Sequence, residues 1–338
     1  CAHSKLARGL STTILLLLGI AAPSNANADT LTQFRIGTGA IAGTYHPIGA
    51  LLATIISPPP GSVACEDGGS CGVPNLVAST QSSQGSVANI RAIQDGRIPS
   101  GFSQADVAHD MVHAKGAFSG LPPLDNIRAI ANLYPETLHV VVREGAGIKS
   151  VQDLRGKRVS LDLLGSGTRY AAEIIMAAHG LGGNDFITVQ ATAGQASHLM
   201  RQDELDAFFL VAGIPARAVT TLTRDKVATV IPLGAEETTK ILAEHRFFSR
   251  SAISDGVYEH IDGLSTIAVG ALWLTSSAVS EDLIHGICRA LWSKPARVAL
   301  DEGHPQGKHI NLNTALNGVA IPVHPGAERC YRELGQQR

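Results

Sequence analysis

The sequence is poor in aromatic residues, in excess charge and in long apolar runs. Aromatic residues make up 4% of the 338 residues, which argues against a carbohydrate ligand, since sugar rings commonly stack on aromatic faces. The formal net charge is -2 at pH 7, so the chain lacks the basic excess of nucleic-acid-binding proteins, and we predict no nucleic-acid partner. After the N-terminal segment, no apolar run reaches the roughly 20 residues that span a bilayer.

The N-terminal residues have the pattern of a secretory signal peptide. Two basic residues precede an apolar run over 14–22, and the small residues Ala26 and Ala28 form a cleavage site. This run is about half as long as a membrane-spanning helix requires. We therefore predict that residues 1–28 are a signal peptide and that the mature protein is periplasmic, soluble and not embedded in a membrane.

Five cysteines are present, and four of them follow the predicted signal peptide. An even number of cysteines in an exported protein favours disulfides. Cys65 and Cys71 flank a short glycine-containing loop, and we predict a disulfide between them. A zinc site would need two further ligands nearby, which the sequence lacks. Whether Cys288 and Cys330 also pair depends on the fold, and the sequence leaves that open.

Strand and helix patterns alternate along the mature chain, which indicates an α/β fold with a mostly parallel sheet. The predicted strands are 34–36, 76–79, 100–102, 127–132, 138–143, 158–161, 186–190, 207–211, 227–231 and 266–274. The predicted helices are 48–56, 86–95, 106–115, 151–155, 169–179, 195–202, 236–245 and 281–292.

Two such α/β units, joined by two long strands, predict two lobes with a central cleft. We place the first part of lobe 1 at 29–138 and lobe 2 at 139–265. Residues 266–338 then form the return strand and complete lobe 1. Ligands of open α/β sheets bind beyond the carboxyl ends of the strands. The loops that follow strands are therefore the candidate binding loops.

The glycine-rich loop 37–45 is the first of three candidate binding loops. Its glycines let the backbone approach a ligand closely, and the helix that follows offers free N–H groups. A dinucleotide fingerprint would require an acidic residue about 20 positions later, at the end of a second strand, and none is there. A tight turn without a ligand remains the other interpretation.

The other two candidate loops combine amides, hydroxyls and one guanidinium group. Segment 81–86 carries glutamines and serines, although Ser86 also suits a helix cap. Segment 165–169 places Arg169 at a glycine-rich helix start, which favours binding of a carboxylate or phosphate. We predict Arg169 as the principal contact for an anionic ligand, with Arg217 as the second candidate. An exposed arginine beside an ordinary cap is the alternative.

Signatures of catalysis and of metal binding are weak. Segment 68–72 matches the G-x-S-x-G pattern, but it lacks the preceding strand and following helix of a nucleophile elbow. A periplasmic hydrolase using Ser70 is therefore kept only as an alternative. His109 and His113 share a helix face without a third ligand, and we interpret this face as solvated. We predict that the protein is not an enzyme and has neither catalytic residues, cofactor nor metal.

A set of short motifs runs in order from about Phe34 to the C-terminus. The motifs are IGTG at 36–39, GTY at 43–45, PIG at 47–49, QGS at 84–86, Gln104 with Asp106, VQDLRGKRV at 151–159, GSGT at 165–168 and HPGA at 324–327. This set resembles the TAXI family, the TRAP-associated extracytoplasmic immunogenic proteins, which are receptors of tripartite ATP-independent periplasmic transporters.

The resemblance implies a periplasmic-binding-protein fold of the Venus-flytrap, type II-like class. It implies capture of a small polar solute, such as glutamate or a related dicarboxylate, and its delivery to a TRAP-type membrane permease. A binding subunit of an ABC importer shares the lobed fold and is the alternative. The predicted ligand contacts are Thr38, Gly39, Gly43, Thr44, Tyr45, Gln84, Ser86, Gln104, Ser166, Thr168, Arg169 and Gly213.

Overall fold

A computed structural model describes residues 31–57, 61, 63, 65–67 and 72–336. The signal peptide, Ser70 and Cys71 lie outside the described residues. The cleavage site, the hydrolase alternative and the Cys65–Cys71 disulfide therefore stay predictions. No helix within the described ranges is long and apolar enough to cross a membrane.

Strands and helices alternate through most of the described chain. The strands are β1 (Thr32–Gly37), β2 (Leu76–Gln81), β3 (Ser100–Gln104), β4 (Ile127–Arg143), β5 (Arg158–Ser160), β6 (Ile187–Thr188), β7 (Ala207–Ala212), β8 (Ala228–Ile231), β9 (Ser249–Ile253) and β10 (Leu264–Ser276). The helices are α1 (Tyr45–Ile56), α2 (Ser86–Gln94), α3 (Ala105–Val112), α4 (Gly167–Ala178), α5 (Ala193–Arg201), α6 (Arg217–Arg224), α7 (Ala235–Glu244), α8 (Glu281–Leu291), α9 (Lys294–Gly303) and α10 (Pro325–Glu333).

The strands form one sheet in which the same order occurs twice. In the first lobe the order is β2-β1-β3, followed by the antiparallel strand β10 and then β4. In the second lobe it is β6-β5-β7, followed by the antiparallel strand β4, which also pairs with β8. The predicted two-lobed α/β fold is thus confirmed. The lobe boundaries predicted from the sequence stay predictions.

Strand β4 belongs to both lobes and carries the chain across the cleft. Its first part pairs with β10, and its last part, from Thr137 onward, pairs with β7 and β8. The sequence predicted two separate strands, 127–132 and 138–143, and this was wrong. Pro135 and Glu136 interrupt the apolar pattern, but both lie within the continuous strand, because the strand leaves one lobe and enters the other at this point.

The core of the first lobe is centred on three aromatic side chains. Trp273 of β10 makes edge contacts with Phe34 and Phe102, at centroid distances of 6.5 and 6.4 Å, and all three are buried. These residues belong to β1, β3 and β10, three neighbouring strands of the sheet. Their packing holds the carboxyl ends of β1 and β3 side by side, and the first candidate binding loop begins at the end of β1.

The sequence predicts helix α8 but neither of the two helices that follow it, α9 and α10. Helices α9 and α10 have Pro295 and Pro325 in their first turns, where proline is favourable although it breaks a helix elsewhere. Cys288 of α8 and Cys330 of α10 form a disulfide, with their Cα atoms 6.2 Å apart. The sequence left open whether Cys288 and Cys330 pair, and the packing of α8 against α10 brings them together.

Candidate ligand-binding site

A small polar cavity of about 60 Å³ lies where loops of the two lobes meet. It is bordered by the β1–α1, β2–α2 and β5–α4 loops and by the ends of β3 and β7, so it lies at the carboxyl ends of parallel strands. The lining residues are Gly39, Ala40, Gly43, Thr44, Tyr45, Gln84, Gly85, Ser86, Gln104, Glu136, Asp162, Ser166, Gly167, Thr168, Ala193, Leu210 and Val211.

Four helices begin at the wall of this cavity. Helices α1, α2, α4 and α5 begin at Tyr45, Ser86, Gly167 and Ala193, and all four residues line it. The first N–H groups of a helix lack intrahelical acceptors and carry partial positive charge. Ser166 caps α4 by accepting a hydrogen bond from the Arg169 N–H at 3.0 Å. The cavity therefore offers backbone donors to a negatively charged group.

The two lobes approach each other closely around the cavity. A Cβ atom built on Gly167 would lie 2.5 Å from Ser86 Oγ and 2.6 Å from Gln104 Oε1, so any larger residue requires these side chains or the lobes themselves to shift. Thr44 donates its hydroxyl hydrogen to the Gly213 carbonyl at 3.1 Å. The structure thus has the lobes in contact, and entry of a solute larger than the cavity requires them to move apart.

The most unusual lining residue is Glu136, a buried carboxyl group in the crossing strand β4. It is 2% exposed and accepts a hydrogen bond from the Tyr45 hydroxyl at 2.7 Å. Burial raises the pKa of Glu136 to about 8, the Tyr45 hydrogen bond opposes this, and the nearby Asp106 carboxyl adds to it. A carboxyl group with this pKa is largely protonated at neutral pH in the absence of a counter-charge.

A second acidic residue, Asp162, lines the cavity from the other lobe. Burial raises its pKa to about 6, while hydrogen bonds from the Leu163 N–H and the Ser166 hydroxyl and the charge of Arg169 lower it. Among the described residues that line the cavity, none is lysine, arginine or histidine. The side chains around the cavity therefore supply negative charge, and positive potential comes from the helix ends.

Two further buried acceptors near Glu136 have no hydrogen-bond partner within the described part of the chain. They are Gln104 Oε1 and Asp106 Oδ2, in side chains that are 2% and 4% exposed. Gln104 lines the cavity, whereas Asp106 lines a different cavity together with His109 and acts on Glu136 through its charge. Buried acceptors without donors are costly. A ligand between the lobes that supplies an N–H donor would satisfy Gln104 Oε1.

The structure brings most of the predicted ligand contacts together. The predicted residues that line the cavity are Gly39, Gly43, Thr44, Tyr45, Gln84, Ser86, Gln104, Ser166 and Thr168. Two others lie just outside it. Thr38 is buried and donates its hydroxyl hydrogen to the Gln81 carbonyl, and Gly213 accepts the hydrogen bond from Thr44.

Arg169 is not brought to the cavity. Its guanidinium pairs with Glu173, one turn further along α4, at 2.8 Å. Its Nε atom donates this hydrogen bond along the helix, as is common for an i, i+4 pair, whereas its Nη1 atom is buried and has no hydrogen-bond partner among the described residues. Its influence on the cavity is electrostatic, through Asp162. The second candidate, Arg217, is exposed at the start of α6 and also does not line the cavity.

Two smaller expectations need correction. Ser86 does not cap α2, since the cap position is Gly85, and its hydroxyl instead accepts a hydrogen bond from the Gln104 N–H at 3.0 Å. The helix face of His109 and His113 is not fully solvated, because His109 is buried against Phe247. No group of three potential metal ligands occurs within the described ranges.

Sequence analysis missed Glu136 and Asp162. The available signal for Glu136 was a charged residue between two strongly apolar strand segments, which has no reason to be buried unless it is functional. Asp162 follows β5 directly, at the position where loops of such sheets meet ligands.

Comparison with solved structures gives matches at low sequence identity. A protein from Bordetella bronchiseptica RB50 matches with 16% identity and a TM-score of 0.52, over 90% of this chain and 98% of that chain. The alkanesulfonate-binding protein SsuA from Xanthomonas axonopodis pv. citri, bound to MOPS, matches with 17% identity and a TM-score of 0.49, over 90% and 85% of the two chains. A putative L-cystine ABC transporter from Listeria monocytogenes has 12% identity and a TM-score of 0.47, over 84% and 98%.

These identities support similarity of fold and no more. A family profile gives the stronger result, because it spans nearly the whole described chain. It matches residues 36–335. The chain belongs to the NMT1-like family.

Proposed function

We propose that this protein is a periplasmic solute-binding receptor, which captures a small polar solute between its lobes and delivers it to a membrane importer. The observation that carries this proposal is the cavity at the carboxyl ends of the strands, where four helix N-termini converge and the lobes meet. The arrangement suits binding without chemistry, and the predicted signal peptide supports a periplasmic location.

The helix N-termini at the cavity favour a solute that carries a carboxylate group. Backbone N–H groups at the start of α4, together with the hydroxyl group of Thr168, can hold an anion without a side-chain cation. This differs from the binding by Arg169 that the sequence predicted. The carboxylate class of ligand is kept, but its contacts are backbone donors and a hydroxyl group.

The buried carboxyl group of Glu136 favours a solute that also carries an amino group. A protonated amine placed near Glu136 would meet its carboxylate and the free Gln104 Oε1, and its charge would bring the pKa of Glu136 back down. A dicarboxylate without an amine would instead add negative charge beside Glu136 and Asp162. We therefore favour an amino acid such as glutamate over a plain dicarboxylate.

Closure of the lobes is the proposed mechanism of capture. The crossing strands β4 and β10 connect the two lobes and form the hinge region, and solute contacts from both lobes would favour the closed state. The importer would then recognise the closed receptor. The residues proposed to contact the solute are Tyr45, Ser86, Gln104, Glu136, Ser166 and Thr168.

Two classes of membrane partner are candidates. The resemblance to TAXI receptors implies a TRAP-type permease, and an ABC importer, the class given for the Listeria protein, is the alternative. Covalent crosslinking to native membranes, followed by identification of the captured subunit, separates them. Capture of a nucleotide-hydrolysing assembly favours the ABC class, whereas capture of a large multi-span permease without one favours the TRAP class.

Calorimetric titration with a matched pair of ligands tests the proposed solute. L-glutamate and 2-oxoglutarate differ at the α-carbon, where one carries an ammonium group and the other a keto oxygen. We expect glutamate to bind the wild-type protein, and Glu136→Gln to weaken its binding at least about tenfold through loss of a charge-assisted contact. The affinity for 2-oxoglutarate should be lower in the wild type and little affected by the substitution.

Arg169→Ala serves as the control variant in these titrations. Since Arg169 pairs with Glu173 and does not line the cavity, its replacement should change glutamate affinity by less than about threefold. Binding of glutamate that is unaffected by Glu136→Gln, or a large loss in Arg169→Ala, would contradict the proposed arrangement of the solute.

A further inference from the structure

A second and larger cavity lies beside the crossing strands. This crossing-strand groove, with a volume of about 630 Å³, is formed by β4, the start of β9, β10 and the C-terminal segment 309–320. Its size falls within the range of about 300–1,000 Å³ that is typical of small-molecule sites. None of its lining residues lines the cavity between the lobes, so the two are separate.

The charge of the crossing-strand groove is opposite to that of the first cavity. Its lining includes Arg246 and His309, and no aspartate or glutamate lines it within the described part of the chain. Arg246 lies over the Phe247 ring at 5.1 Å, and its Nη2 atom is 3.1 Å from His109 Nε2. A guanidinium has five N–H donors, so this contact leaves others for an anionic ligand.

The rest of the groove surface mixes apolar and polar side chains. Leu133, Val269 and Val319 contribute the apolar part, and the polar residues are Asn132, Ser249, Thr314 and Asn317. Tyr134 also lines the groove, but its side chain is 1% exposed, and burial together with the charge of Glu136 raises its pKa, so its hydroxyl lies in the interior on the side of the first cavity. The groove thus combines a cation, an apolar wall and several hydrogen-bonding side chains.

We propose that the crossing-strand groove is a second binding site, which takes a small organic anion with an apolar body. The anionic group pairs with Arg246, on the side where His309 also lies. The apolar body packs against the Leu133 and Val319 walls. The proposal does not depend on the identity of the solute between the lobes, because the two cavities share no residue.

Fluorescence titration with 8-anilinonaphthalene-1-sulfonate, an aromatic sulfonate, tests this site on the folded mature protein. We expect saturable binding of one molecule per chain. Arg246→Gln should weaken it at least about tenfold, through loss of the charge-assisted pair. Arg250→Gln is the matched control, since Arg250 is exposed on β9 four residues further on and does not line the groove. Its affinity should equal that of the wild type.

A second variant tests the location without changing charge. Ala320→Trp adds a large side chain to the groove wall and should abolish saturable binding, while the circular dichroism of the folded protein is retained. Binding that is absent in the wild type, or equally strong in Arg246→Gln, would overturn the proposal. So would equal weakening in Arg246→Gln and Arg250→Gln, since it would reflect general surface charge.

Discussion

At the scale of single residues, Glu136 is the position where stability and binding conflict. A carboxyl group in a strand between apolar neighbours loses its hydration, and only Tyr45 donates a side-chain hydrogen bond to it. Burial of such a group without a counter-charge is unfavourable. In the protein without ligand, Glu136 stays protonated at neutral pH, which avoids burying a negative charge. A cationic group on a ligand would remove the cost, which explains why an acid can persist at this position.

The pH dependence of stability follows from the raised pKa of Glu136. Below its ordinary pKa of 4.5 both folded and unfolded states are protonated, and Glu136 has no effect. Between 4.5 and about 8 the unfolded state loses the proton while the folded state keeps it, so the free energy of unfolding falls as pH rises. Asp106, with its pKa raised to about 7, acts in the same direction.

Urea unfolding of the ligand-free protein at a series of pH values measures this effect. Glu136→Gln should reduce the loss of stability between about pH 5 and pH 8, because glutamine does not titrate. The control is Glu144→Gln, at an exposed position one residue beyond the end of β4, which should follow the wild-type curve. Identical pH dependence in the wild type and Glu136→Gln would show that Glu136 is ionised in the folded protein.

Residue roles were the hardest feature to predict from the sequence. Most of the loop glycines and hydroxyl residues predicted as ligand contacts line the cavity, because a helix start after a strand constrains where they lie. Arg169 does not line it, because the direction of a side chain depends on its partners, and Glu173 lies within reach on the same helix. Glu136 was missed because its burial depends on strands far apart in sequence.

At the scale of elements, the disulfide between α8 and α10 secures the C-terminal part of the chain. These helices pack together, and α10 begins soon after Val323, which bridges to Ala129 of β4. Cys288 and Cys330 are both fully buried. The disulfide therefore ties the last helix to the lobe that it completes.

Replacement of both cysteines should destabilise the protein substantially. The disulfide closes a segment with a sequence separation of 42 residues, for which the chain-entropy relation gives about 4 kcal/mol. We expect the variant with Cys288→Ala and Cys330→Ala to lose about this amount in urea unfolding under oxidising conditions. A variant as stable as the wild type would show that the two cysteines do not pair in the folded protein.

The order of strands and helices was largely predictable, but their pairing was not. Alternation of apolar strands with amphipathic helices predicted most elements to within a few residues. The continuous strand β4 and the small strand β9 were not recognised, since β9 is partly exposed and lacks a clear apolar pattern. The missed helix α6 has a weakly apolar sequence between charged residues, and only one face is buried.

At the scale of the whole molecule, the repeated strand order places two similar lobes on a shared pair of strands. Because β4 and β10 run through both lobes, a change of angle between the lobes requires only local bending of these strands. The loops that line the cavity come from both sides, so a solute bound there must stabilise the closed arrangement. Solute binding and lobe closure are therefore coupled, since each favours the other.

A substitution at Gly167 should block closure of the lobes without preventing the protein from folding. A Cβ atom on this residue would overlap Ser86 and Gln104 of the other lobe, so Gly167→Ala should hold the lobes apart while each lobe remains folded. Gly183→Ala is the control, because no atom lies within 4 Å of a Cβ built at that position. Equal urea stability of the two variants would verify that neither substitution disturbs folding.

Native mass spectrometry of the mature protein, purified without added ligand and then incubated with L-glutamate, tests the central claim that a small solute binds between the closed lobes. The account predicts one bound solute molecule per chain in the wild type and in Gly183→Ala, and a reduction of at least about tenfold in occupancy in Gly167→Ala. Equal occupancy in all three proteins would contradict it, since the solute would then bind without closure of the lobes around Gly167.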